Sequence, residues 1–216
     1  IKRKGKYIII ETSNDYKLII HLRMTGKLIY KKVFEKTSLH ERANFLFEDQ
    51  TKLIFDDLRA FGKIQIYRKN EEIACLKKLG VEPFSHDFTI KYLKSKFRNR
   101  KAPIKNLLLM QTIITGIGNI YACEILYRAK LSPLIQGKEL SLNKIKTLVS
   151  KTKQVLQEAI DHKGTTISDY RTVKDNFGEF QNFLNVYQKN FCKKGHKIKK
   201  IKQAGRSTYF CPICQK

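Results

Sequence analysis

Leu107-Leu108-Leu109-Met110-Gln111-Thr112-Ile113-Ile114-Thr115-Gly116-Ile117-Gly118-Asn119-Ile120-Tyr121-Ala122-Cys123-Glu124-Ile125-Leu126 is the stretch on which the reading of this chain turns. An apolar run ends in Gly116-Ile117-Gly118-Asn119, and Ile120, Cys123 and Tyr127 then recur at helical spacing. Two glycines one residue apart let the backbone take positive φ and approach another surface closely. Asn119 stands where a helix would begin, so its amide and the free N–H groups of the first turn can face an anion. Lys105 lies just before the first helical pattern. The same residues also suit an ordinary αα-hairpin with a glycine turn.

Composition supplies the anion. Lys and Arg number 44 against 19 Asp and Glu, a formal charge of +25. An excess of that size points to a polyanionic partner, nucleic acid above all. A general lysine bias in the source proteome would account for part of it. No apolar run approaches the length of a membrane span, and no signal-like pattern opens the chain. The 216 residues suffice for one large domain or two to three small ones, and 42% hydrophobic residues can build their cores. Ile1 is not an initiator methionine, and Lys2-Arg3-Lys4-Gly5-Lys6 leads straight into a strand. The expectation is a fragment that lacks its start.

The pattern changes along the chain. Residues 1–70 read as short strands (Tyr7–Glu11, Leu18–Leu22, Leu28–Tyr30, Phe45–Phe47, Leu53–Phe55, Ile64–Tyr67), as in an antiparallel sandwich or a partly open barrel. Helical periods take over from about Glu71. Ile73, Leu76 and Leu79 suit a short helix closed by Gly80, and Phe88–Phe97 a basic one. Leu142, Ile145, Leu148, Val149, Thr152, Val155, Leu156 and Ile160 form the clearest stripe, ended by Gly164 as a C′ glycine. Gly164–Glu179 has no period and reads as a functional or mobile loop. The class is therefore α+β with three blocks: a β-sandwich over 1–70, a helical region over 71–189 with the loop at about 164–179, and a hairpin module over 190–216.

Cys75 and Cys123 fall in helical patterns and read as buried thiols. Cys192, Cys211 and Cys214 crowd the C-terminus. An odd count with this clustering favours a reducing compartment and a metal site over disulfides.

Ordered segments of the chain resemble the formamidopyrimidine-DNA glycosylases, the helix–two-turn–helix group. They are Arg3–Ile10, His21–Gly26, Asp57–Gly62, Leu79–Phe84, Ile104–Leu131, Gly164–Asp169, Phe180–Tyr187 and Ala204–Lys216. Relatives that remove oxidised pyrimidines share the architecture. The Gly164-Thr165-Thr166 opening and Phe180–Tyr187 are more like the formamidopyrimidine branch.

The resemblance implies excision of oxidised purines from double-stranded DNA by a monomeric, cytoplasmic, DNA-associated bacterial enzyme. In that chemistry an N-terminal proline amine attacks the sugar C1′, and the resulting imine draws electrons so that elimination cuts the strand. The adjacent glutamate moves protons. Neither residue has a counterpart here, so this chain as it stands is expected to be inactive. The alternative is a non-catalytic DNA-binding remnant of the family. A third reading, an RNA-associated zinc ribbon, leaves the central stretch unexplained.

Residue by residue, Lys6 matches a lysine beside the scissile sugar and Arg206 the finger-tip arginine that assists the second elimination. His40, Arg59 and Lys101 match DNA contacts, and Lys105 and Asn119 the phosphate grip. Met24, Arg59 and Phe61 match the side chains that fill the hole left by an extruded nucleotide. Ala60 stands where the family has Arg, and Met110 where it commonly has Asp. The family finger is C-x2-C, sixteen residues, C-x2-C. Here Cys211-Pro212-Ile213-Cys214 is intact, while Cys192-Lys193-Lys194-Gly195-His196 lacks the second cysteine. Eighteen residues separate Cys192 from Cys211, one fewer than in the family. One Zn2+ is expected on Cys192, Cys211 and Cys214, with His196 as the fourth ligand.

Overall fold

The computed structural model describes all residues except Thr37, Ser168 and Asp169. Asp169, at the end of one matched segment, therefore lies outside the described residues. Contacts group the chain into two units that do not follow the three consecutive blocks. Ile1–Ile73 joins Ala159–Phe183, and Ala74–Glu158 joins Leu184–Lys216.

The first unit is a pair of antiparallel sheets. Its strands are β1 (Lys2–Lys4), β2 (Tyr7–Glu11), β3 (Tyr16–His21), β4 (Gly26–Lys32), β5 (Glu41–Leu46), β6 (Thr51–Asp57) and β7 (Lys63–Arg68). One sheet runs β1-β2-β3-β7 and the other β4-β6-β5. Alternation along each strand sends Ile8, Ile10, Ile20, Leu22, Leu28, Ala43, Leu53, Phe55 and Ile64 into one cluster drawn from both sheets. β1 had no apolar signal because all three of its residues are exposed cations. It is an edge strand, where lysines discourage pairing with another chain. β5 begins earlier than its apolar end suggested, since its exposed and covered residues alternate from Glu41.

The second part of this unit follows a long helix. Gly164 takes φ +86 and donates its N–H to Ala159 O at 2.7 Å, as a C′ glycine does. Thr166 then organises the return: its hydroxyl donates to Tyr170 O at 2.9 Å and accepts Gly178 N at 2.8 Å. The loop meets the free edge of β4 through Tyr30 N donating to Val173 O at 2.9 Å.

The second unit is helical with a terminal hairpin. It holds α1 (Ala74–Lys77), α2 (Ile90–Phe97), α3 (Ile104–Leu109), α4 (Asn119–Arg128) and most of α5 (Leu142–Asp161), then β8 (Lys199–Gln203) and β9 (Arg206–Phe210). Thr89 caps α2 by accepting Tyr92 N at 3.1 Å. Ile145, Leu148, Thr152 and Val155 of the α5 stripe are buried, while Leu142 and Ile160 at its ends are exposed. Cys123 is buried, but Cys75 only partly.

One internal amide, of Gln111, and one carboxylate, of Glu124, hold the central turn and what packs on it. Gln111 Nε2 donates to Leu109 O and Ile117 O at 3.1 and 3.0 Å, and its Oε1 accepts Gly116 N at 2.9 Å. Gly116 has φ +90, whereas Gly118 is extended and serves as the N-cap of α4. Of the two glycines, only the first needs its freedom for the turn. Glu124, fully buried in α4, accepts Asn185 N and Nδ2 on Oε2 and Val186 N and Tyr187 N on Oε1, all at 2.8–3.0 Å. Truncating it strands four donors, three of them buried. Glu124→Ala is expected to lower unfolding stability by about 3 kcal/mol or more, with Glu124→Gln milder, as read by urea denaturation.

Candidate nucleic-acid interface and metal centre

Five of the sequence-expected residues lie in the first unit. Lys6 is exposed in the two-residue turn between β1 and β2, where Gly5 takes φ +58. A glycine at that turn position lets the hairpin close with the twist of its strands. Met24 stands in the turn from β3 to β4, and Arg59 and Phe61 in the loop from β6 to β7. Gly26 pairs with Asp57, so register brings these two connections side by side. Met24 is 69% and Phe61 53% exposed. Neither is a core residue. The Arg59 guanidinium sits 4.8 Å from the Phe61 ring centre. His40 is half-buried, and its carbonyl accepts Asp57 N at 3.0 Å.

Four more lie in the second unit. Lys101 is exposed between α2 and α3. Asn119 opens α4 and its Nδ2 donates to Ser207 O at 2.9 Å. Lys105 is fully buried, and its ammonium donates to the same Ser207 carbonyl at 3.2 Å and to Thr208 Oγ1 at 2.7 Å. Burial first, and Arg206 second, lower its pKa, with Cys123 opposing. The expectation of a direct phosphate ligand at Lys105 meets a side chain withdrawn from solvent, which ties α3 to β9. Arg206 is exposed at the hairpin tip, beyond Ala204 and Gly205 at φ +45 and +76. Asn119 and Lys105 thus converge on the Ser207 carbonyl at the start of α4, with Arg206 the preceding residue of β9, and a helix start with cations beside it is an arrangement an anion favours.

The C-terminal cluster is Cys192, His196, Cys211 and Cys214, whose ligand atoms all lie within 4.8 Å of one another. His196 Nδ1 is 3.3 Å from Cys214 Sγ and 3.7 Å from Cys192 Sγ, and the two sulfurs are 4.0 Å apart. A tetrahedral zinc, with bonds of about 2.3 Å to sulfur and about 2.0 Å to nitrogen, spaces its donors about 3.5–3.8 Å apart. Donor set and spacing therefore fit one Zn2+ in a Cys3His site. Gly195, at φ +75, supplies the left-handed turn that brings His196 back. Burial opposes ionisation of Cys192, but the amides of Lys194 and His196, the Tyr127 hydroxyl and Cys211 outweigh it and lower the thiol to about 6. Burial and hydrogen bonds with Cys211 and Cys192 push Cys214 up to about 11. A bound dication would hold both as thiolates. Gln215 braces the second knuckle, accepting Cys211 N and donating to Leu131 O, both at 2.8 Å.

Three family descriptions match along the chain: "Formamidopyrimidine-DNA glycosylase N-terminal domain" over residues 1–64, "Formamidopyrimidine-DNA glycosylase H2TH domain" over 79–171 and "Zinc finger found in FPG and IleRS" over 195–216. The formamidopyrimidine-DNA glycosylase of Wolbachia sp. subsp. Brugia malayi is 41% identical over 220 residues, covering 100% of this chain and 80% of the relative. This chain belongs to the formamidopyrimidine-DNA glycosylase family. The Rickettsia felis member is 40% identical, with coverage of 100% and 79%. Among solved structures, the Lactococcus lactis glycosylase in complex with abasic-site DNA superposes with TM-score 0.92 at 37% identity. That match covers 100% of this chain and 80% of that one. The same protein with Fapy-dG DNA gives 0.91 at 36%, with the same coverage.

Within the glycosylase framework, four residues carry the geometry without a role having been assigned to them from the sequence. Asp57 and Glu124 are buried acceptors. Tyr127 bonds to Cys192. His21 packs its ring edge-on against Tyr7 at 4.6 Å and accepts Arg23 N at 3.0 Å. His21 and Asp57 sat inside matched motifs, which was their only signal. Of the departures, Ala60 adopts φ +54 in the exposed loop, and Met110 is the partly exposed C-cap of α3.

Two outcomes are expected here. Burial, then Arg23 and Lys6, depress His21 from 6.5 to about 4. The unfolded chain therefore takes up the extra proton between those values. The stability His21 contributes is complete above about pH 6.5 and drains away as pH falls toward 4. His21→Gln should flatten that part of a stability-against-pH curve. Tyr127→Phe removes a hydrogen bond to a ligand sulfur and should weaken zinc about tenfold, read by competition with a chromophoric chelator.

Proposed function

We propose that this chain recognises oxidised purines in double-stranded DNA and serves their excision by glycosylase and strand-cleaving lyase chemistry. The observation that carries this reading is the pair of register-adjacent loops holding Met24, Arg59 and Phe61 out in solvent. Large apolar side chains on fixed turns suit a wedge that replaces an extruded nucleotide, with Arg59 facing the orphaned base. Lys6 stands by the scissile sugar. His40, Lys101, Asn119 and Arg206 hold phosphates, and Lys105 supports that grip from within. Support also comes from solved relatives, which were captured with Fapy-dG, abasic and oxidised-pyrimidine DNA.

The chemistry needs an amine that attacks C1′, expels the base and leaves an imine through which elimination cuts the strand. The family resemblance assigns that amine to an N-terminal proline, with a glutamate beside it to move protons. A second reading, a damaged-DNA binder without chemistry, rests on the altered finger. Borohydride trapping on 8-oxoguanine duplex separates the two. The gene product bearing an N-terminal proline should form a covalent adduct. Under the second reading that product binds with steep salt dependence and forms none. Failure to trap would favour the second reading.

A further inference from the structure

Asp57 ends β6 and is fully buried. Its Oδ1 accepts the Thr25 hydroxyl, and its Oδ2 accepts Gly62 N at 2.7 Å. The N–H groups of Arg59 and Phe61 are also directed at it. Thr25 Oγ1 in turn accepts Arg59 N at 3.1 Å. The backbone of Asp57 extends the knot: its N–H donates to His40 O at 3.0 Å, and its carbonyl accepts Arg42 Nε at 3.0 Å and Ala60 N at 3.3 Å. A Cβ on Gly62 would come within 3.0 Å of Asp57 Oδ2 and 2.4 Å of the Phe55 ring, so only glycine lets the loop close on the carboxylate. Ionised, a carboxylate is an acceptor only, with room for about four donors. Here the donors come from both connections: one from the residue after Met24, the rest from the loop that carries Arg59 and Phe61.

We propose that Asp57 is the positioning residue of the wedge, clamping the β3–β4 turn to the β6–β7 loop so that Met24, Arg59 and Phe61 enter the base stack as one rigid unit. The inference rests on the DNA-binding reading above and adds how its reading head is held. Three exposed side chains on separately mobile loops would have to be ordered at each encounter, and that entropy would be drawn from the discrimination between a lesion-like site and intact duplex. A pre-tied pair of loops avoids this.

The test uses the 216-residue chain, Asp57→Asn, Thr25→Val and the conservative Thr25→Ser. Amide exchange in the absence of DNA reads the loops. Fluorescence of 2-aminopurine beside an abasic site reads insertion, and binding to undamaged duplex reads the phosphate contacts. Exchange at Arg59, Phe61 and Gly62 should quicken about tenfold in Asp57→Asn. The preference for abasic over intact duplex should fall about tenfold while intact-duplex affinity stays within twofold. Thr25→Val should show the same losses more weakly, and Thr25→Ser should behave as the parent. Parent-like preference and 2-aminopurine signal in folded Asp57→Asn and Thr25→Val overturn the proposal, whether or not exchange quickens. A parent chain with no preference for abasic DNA overturns the functional reading and the wedge with it. Unchanged exchange alongside a parent that does discriminate overturns the clamp alone.

Discussion

The Asp57 carboxylate cannot stay ionised out of water unless donors surround it, and the loops around it are shaped by that demand. Burial alone would raise its pKa. The hydroxyl of Thr25 and the amides of Gly62, Arg59 and Phe61 more than offset this and lower it. Glu124 meets the same requirement in the helical unit, where one side chain of α4 gathers the backbone of Asn185, Val186 and Tyr187. Tyr187 then packs edge-on against Tyr209 of β9, with ring centres 4.9 Å apart. Each unit thus has such an anchor between regular structure and the irregular chain beside it. Among the described residues, neither carboxylate forms an ion pair. A carboxylate held by amides has fixed geometry, whereas a long lysine partner would leave rotamers open.

Charge has been sorted by the fold. Among residues matched to DNA contacts, Lys6, Arg59, Lys101 and Arg206 are exposed, and three of them sit in turns or loops. Lys105 is the exception, with its ammonium shared between Ser207 and Thr208. Its charge still raises the potential near the start of α4, since a buried cation is little screened.

The finger shows how little apolar surface a small module needs once a metal is available. A two-stranded hairpin is marginal by itself. Here a Cys3His cluster closes its base, Gln215 braces the second knuckle, and Ser207 and Thr208 of β9 fasten it to α3 and α4. Replacing one cysteine with a histidine one residue further along keeps four donors converged because Gly195 turns the chain back. The loss of a cysteine is thereby absorbed locally.

What could be read from the chain alone was whatever a local pattern encodes. Alternation marked most strands, the 3.6-residue stripe marked α5, and glycine spacing marked the turn before α4. The clustered cysteines with His196 marked the metal site, and motif likeness marked Met24, Arg59 and Phe61. β1 escaped because a strand of three cations has no apolar period. The grouping of 159–183 with the sheets, the burial of Lys105 and the roles of Asp57, Glu124 and Tyr127 were decided only by tertiary structure. Each depends on hydrogen-bond partners brought from tens of residues away, as Thr25 to Asp57, Asn185 to Glu124 or Ser207 to Lys105. A buried acceptor has the same letter as an exposed one, and only the folded neighbours tell them apart.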